Sequence, residues 1–103
     1  MTYKHALTID KRIQEELGHG WLMEVIKLPD DTNVSVTWKK GPCHISCSLF
    51  DFWKFHFSIS LHLGMTVTAS GKDLRKIRLD AIAKAQEKIE KMQSNLDKAI
   101  LNS

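Results

Sequence analysis

The sequence predicts an α+β fold: a two-layer sandwich in which an antiparallel sheet of four to five strands carries a short N-terminal helix and a long C-terminal helix on one face. Three observations lead there. From residue 33 to residue 70, apolar and polar residues alternate with a period of two, the mark of half-buried strands. The connections between these runs are short and rich in Pro, Gly and Asp, which favours antiparallel neighbours. From Asp73 onward the apolar residues recur every three or four positions, the period of a helix with one apolar stripe.

The first helix is predicted over about 9–18. Ile9, Ile13 and Leu17 fall four apart, Thr8 or Asp10 is placed to cap it, and Gly18-His19-Gly20 ends it. Residues 21–28 follow as a strand that is apolar on both faces, the pattern of a central or covered strand. Pro29-Asp30-Asp31-Thr32 turns the chain into a strand at 33–39, with Val34, Val36 and Trp38 inward. Lys40-Gly41-Pro42 turns it again into a strand at 43–50, with Cys43, Ile45 and Cys47 inward.

The strand at 54–63 alternates most clearly: Phe55, Phe57, Ile59, Leu61 and Leu63 oppose Lys54, His56, Ser58, Ser60 and His62. Pairing it with the strand before it, Ser48 is expected opposite His56, Ser46 opposite Ser58 and His44 opposite Ser60. A short strand at 65–70 precedes the last helix, at about 73–101. That helix runs about 42 Å, whereas a ten-residue strand covers only about 33 Å. Its far end, with Met92, Leu96 and Ile100, is expected to overhang the sheet and need a partner.

A chain of 103 residues fits one domain spanning 1–103, and 43% hydrophobic residues supply a core without metal or disulfide. The net charge of +3 permits an anionic partner without demanding one. The two cysteines lie about 13 Å apart along one strand, too far for a mutual disulfide. They read as apolar residues of a reducing compartment. No signal-like or membrane-spanning stretch occurs, so a cytoplasmic location with no membrane partner is expected.

Catalytic chemistry finds no support. Ser48 and His56 would share a face, but no acid orients the imidazole and no nucleophile elbow surrounds the serine. Cys47 points inward. No His-x-x-x-His or Cys-x-x-Cys pair anchors a metal, and neither a Walker loop nor a dinucleotide fingerprint occurs. The chain therefore reads as non-enzymatic, with no cofactor, metal or small-molecule substrate. Its chemistry-bearing features are a hydroxyl- and histidine-rich open sheet face and a basic opening of the last helix, Lys72, Arg75, Lys76 and Arg78. An aromatic connection is the third, where an exposed Trp53 beside Lys54 would mark a contact.

The segment Gly41-Pro42-Cys43-His44 resembles the Gly-Pro-x-His loop of double-stranded RNA-binding domains, whose helix–three-strand–helix order ends in a helix opened by lysines. The resemblance implies that His44 enters a minor groove while Lys72, Arg75 and Lys76 hold phosphates across the major groove. It covers the loop and one helical turn. Residues 21–28 are an additional strand, Ser48 stands where that family has phenylalanine, and Leu74 interrupts the basic run.

Two functions are thus expected. The first is a small protein-binding, inhibitory or accessory module, of the kind many phages encode. It would act on a protein partner or as a homodimer through Trp53, His56, Met92, Leu96 and Ile100. The alternative is a nucleic-acid-binding module using Lys39, Lys40, His44, Lys72, Arg75, Lys76 and Arg78.

Overall fold

The computed structural model describes residues 1–29, 34–48 and 53–101, apart from the side chain of Leu63. The expected turn at 30–32, the strand ends at 33 and 49–50 and the connection at 51–52, with Phe50 and Phe52, lie outside the described residues. Helix α1 (Tyr3–Leu17) leads into strands β1 (Leu22–Lys27), β2 (Val34–Lys40), β3 (Cys43–Cys47) and β4 (Phe55–Ser60). A 3-10 turn (His62–Gly64), strand β5 (Thr66–Gly71) and helix α2 (Leu74–Leu101) complete the chain. The five strands form one antiparallel meander in sequence order, and both helices contribute to a single core on one face. The expected α+β architecture is the one observed.

Helix α1 starts six residues earlier than its apolar spacing suggested. Thr2 is the cap, its Oγ1 accepting the His5 amide at 3.2 Å. Ala6 extends the buried stripe of Ile9, Ile13 and Leu17 back by one turn. Thr8 and Asp10, the caps expected from sequence, lie inside the helix. Thr8 bonds back to the Lys4 carbonyl at 3.3 Å, and Asp10 Oδ1 accepts from Trp38 Nε1 at 3.0 Å.

Two strand expectations are corrected. The first concerns β1, which pairs with β2 alone and forms an exposed edge of the sheet instead of a central strand. Leu22 and Ile26 are 71% and 65% exposed. A strand apolar on both faces is buried only when layers cover both faces, and here helices cover one. The second correction is the β3–β4 register, which is displaced by two residues. Ser46 lies opposite His56, His44 opposite Ser58 and Ile45 opposite Phe57. A two-residue displacement leaves every side chain on its expected face. Strand β4 ends at Ser60, so His62 sits in the 3-10 turn, closed by Leu61 N–H donating to the Met65 carbonyl at 2.7 Å.

The covered face is organised around a row running Met23, Trp38, Ile45, Phe57 and Ala69 across the five strands. Trp38, Ile45 and Phe55 are fully buried, as is Phe57 to within 1%. Asp73 caps α2 by accepting the Lys76 amide at 3.2 Å. Leu74, Ile77, Ala81 and Ala85 then seat the helix against β4 and β5. At Gly71 a Cβ would lie 3.0 Å from Ile77 Cγ2, so glycine permits the tight entry into α2. Burial along α2 stops at Ala85. From residue 86 to 101 the helix continues for about 24 Å, and the molecule measures 59 × 28 × 24 Å.

Cys43 and Cys47 are free and half-buried. Burial raises both thiol pKa values, that of Cys47 to about 11. At pH 8 Cys47 is expected to react with iodoacetamide far more slowly than a cysteine in urea-unfolded protein, as mass spectrometry of timed samples will show. A thiol with a raised folded-state pKa stabilises the fold fully below its unfolded value of 9.0 and loses that contribution as pH rises through about 11. The Cys47→Ser variant should lack this alkaline loss.

Candidate functional site

The basic residues singled out from sequence do not converge. Arg75 Nε donates to the Glu16 carbonyl at 3.4 Å and Arg78 Nη1 to the Leu17 carbonyl at 3.3 Å. These carbonyls end α1, where no further turn donates to them, so the two guanidinium groups act as C-terminal caps. Arg12 Nη2 ties the same region to the Lys72 carbonyl at 3.1 Å. Lys40 Nζ holds the His19 carbonyl at 2.6 Å in the loop before β1. Lys39 and His44 are cross-strand neighbours on the open sheet face, and Lys76 is exposed near the start of α2.

The sheet separates Lys39 and His44 from the opening of α2, whereas Lys40, on the covered face, meets the loop just past the end of α1 that Arg75 and Arg78 cap. Ser60 N–H donates to the Pro42 carbonyl at one end of β4, whereas Gly71, just before α2, pairs with Phe55 at the other end. The separation is about 17 Å along the strand, and His44 faces away from the helix layer. The loop and the helix opening therefore lack the common face that the double-stranded RNA-binding resemblance implied, and five strands replace the three of that fold.

The open face is a hydroxyl lattice. Glu24, Thr37, Ser46, His56 and Ser70 form one row across it. His56 Nδ1 and Ser70 Oγ are 2.6 Å apart, and Ser58 Oγ and Thr68 Oγ1 are 3.0 Å apart. The expected Ser48–His56 juxtaposition is replaced by Ser46 opposite His56. Among the described residues, no group of three His, Cys, Asp or Glu side chains gathers where a metal ion would bind.

The residues expected to bind a partner also divide. Trp53 is 44% exposed and leans on His5, with ring centroids 4.9 Å apart at the N-terminal end of α1. His56 lies on the open face. Met92 and Leu96 line an apolar groove of about 820 Å³ between the overhanging part of α2 and the β4–β5 connection. Ile89, Gln93 and Asn95 complete its helical wall, and Ser60, Leu61 and His62 form the opposite wall. Ile89, Leu96 and Ile100 remain 52%, 55% and 63% exposed.

Sequence reasoning missed a further surface at β1, whose outer edge exposes Leu22, Glu24 and Ile26. Its apolar composition was the available signal, and the absence of a Pro or Gly within 22–27 was another. Among the described residues, no helix is long and apolar enough to cross a membrane. No protein-family model matches the chain, and neither a curated protein nor a solved structure matches it.

Proposed function

We propose that the chain is a non-enzymatic accessory module that works by protein contact and self-associates through the overhanging half of α2. One observation carries this reading: the apolar stripe of α2 continues past Ala85, its last buried residue, and leaves Ile89 and Leu96 more than half exposed beside an apolar groove.

The occupant proposed is a second copy. Ile82, Ile89 and Leu96 recur every seven residues, as do Ala85, Met92 and Ala99, which is a heptad seam. A two-fold contact brings each flank against its own copy. Of the flanking residues Gln86, Lys88, Gln93 and Asn95, only Lys88 is charged, so self-contact carries little like-charge repulsion. Elsewhere on this part of the helix Lys91 pairs with Glu87 at 3.3 Å, and Gln93 donates to Asp97 at 3.3 Å. The groove adds Leu61 to the apolar surface open to a second copy. The two free thiols suit a cytoplasmic, reducing setting.

Light scattering across a concentration series tests the reading. A mass twice that of the 11.8 kDa chain is expected, unchanged by added duplex RNA or DNA. A monomer at every concentration would overturn self-association. A monomer that shifts with duplex at low salt and recovers at high salt would give the function to the basic residues instead.

A further inference from the structure

We infer that the outer edge of β1 is a strand-addition site for an extended segment in which a lysine or arginine is flanked, two residues away on each side, by apolar residues. The site shares no residue with the α2 groove.

The fold treats its two sheet edges differently. Helix α2 lies along β5, and Lys84 Nζ reaches over to take the Thr68 carbonyl at 2.8 Å. A lysine spent on an edge carbonyl is a recognised way to block unwanted pairing. On β1, by contrast, no described residue pairs with the outer edge. The β1–β2 register is unbroken from Leu22 opposite Lys39 to Lys27 opposite Val34, so no bulge twists the edge away. Six residues of backbone with exposed aliphatic side chains are left as a template.

Charge selects the occupant. Leu22, Glu24 and Ile26 alternate along the open face, and Glu24 makes no ion pair among the described residues. Its row continues through Thr37 and Ser46, neither of which is a cation, and the diagonal Lys39 on β2 makes no ion pair with it among the described residues. Antiparallel pairing of β1 with a second copy of itself is penalised. The register that sets Leu22 against the second copy's Ile26 also sets Glu24 against Glu24, and directly opposed like charges destabilise a ladder. Shifting by two residues places the carboxylate against the second copy's Ile26 or Leu22 instead. A segment with a basic residue opposite Glu24 and apolar residues opposite Leu22 and Ile26 satisfies all three positions. Glu24 thus admits a basic strand and turns away its own copy.

The test uses the full chain, labelled for amide NMR, titrated with acetyl-Thr-Val-Thr-Lys-Thr-Val-Thr-amide and with the same peptide carrying Glu in place of Lys. Shifts confined to β1 and β2 are expected, with the Lys peptide binding about fivefold more tightly at low salt, a cross-strand charge effect. The exposed substitution Glu24→Lys should reverse the preference. Absence of shifts in β1, or equal affinity for both peptides in native and Glu24→Lys protein, would overturn the inference. Peptide binding should survive Leu96→Asp, so failure here and failure of the helix contact are read separately.

Discussion

Replacing Trp38 with alanine is expected to cost about 3–5 kcal/mol, the range for emptying a buried aromatic site. That is a large part of the roughly 5–15 kcal/mol that holds a domain of this kind folded. Trp38 is fully buried at the centre of β2, and its indole bridges the layers by donating to Asp10 Oδ1 at 3.0 Å. Two losses therefore combine. The cavity left beneath α1 cannot collapse, because Ile45 and Met23 flank it in a fixed ladder. Among the described residues the half-buried Asp10 carboxylate then keeps only Gln14 Nε2, at 3.2 Å. The Trp38→Phe variant separates the two, retaining most of the volume and losing about 1.5–3 kcal/mol for a hydrogen bond to a charged group. Urea unfolding followed by circular dichroism ranks the three proteins. Equal midpoints for wild type and Trp38→Ala would show that the layers are not joined through this residue.

The double substitution Ile89→Asp with Leu96→Asp is expected to raise the dimer dissociation constant by about 100- to 1000-fold. Full burial of such a side chain contributes about 1.5–3 kcal/mol, and half that is left to gain where half is already covered. In a two-fold contact each substitution acts twice. The sum is about 4 kcal/mol, before any like-charge repulsion. Both positions lie beyond Ala85, outside the buried core, so the monomer should keep its far-ultraviolet spectrum. Sedimentation equilibrium reads the mass. Unchanged association would remove the helix seam as the contact.

Features set by neighbouring residues were readable from the chain, and features set by distant ones were not. The alternation of Phe55, Phe57 and Ile59 and the stripe of Leu74, Ile77, Ala81 and Ala85 are local periodicities, and each became the expected element. The overhang of α2 followed from length alone. The edge position of β1 depends on what lies beyond it in space, which Leu22 and Ile26 cannot report. The two-residue register displacement between β3 and β4 arises because a period of two fixes faces but not pairs. Arg75 and Arg78 looked like a phosphate site because four basic residues gather in a short span. The carbonyls they cap belong to Glu16 and Leu17, at separations of 59 and 61 residues. The start of α1 was missed because a single alanine carries little weight in a hydrophobic pattern.

The late capping of α1 has a consequence for biosynthesis. Two carbonyls at the end of α1 are held by arginines made some sixty residues later. Until residue 78 has emerged and α2 has begun to wind, α1 lacks its end and the sheet lacks half its cover. A nascent chain halted near residue 72 would hold the core face of β4 and β5 without the helix that seals it, and would be a substrate for holding chaperones. Sealing of the core is thus tied to synthesis of the residues that build α2, and a product cut short before them would display the apolar surface it cannot hide.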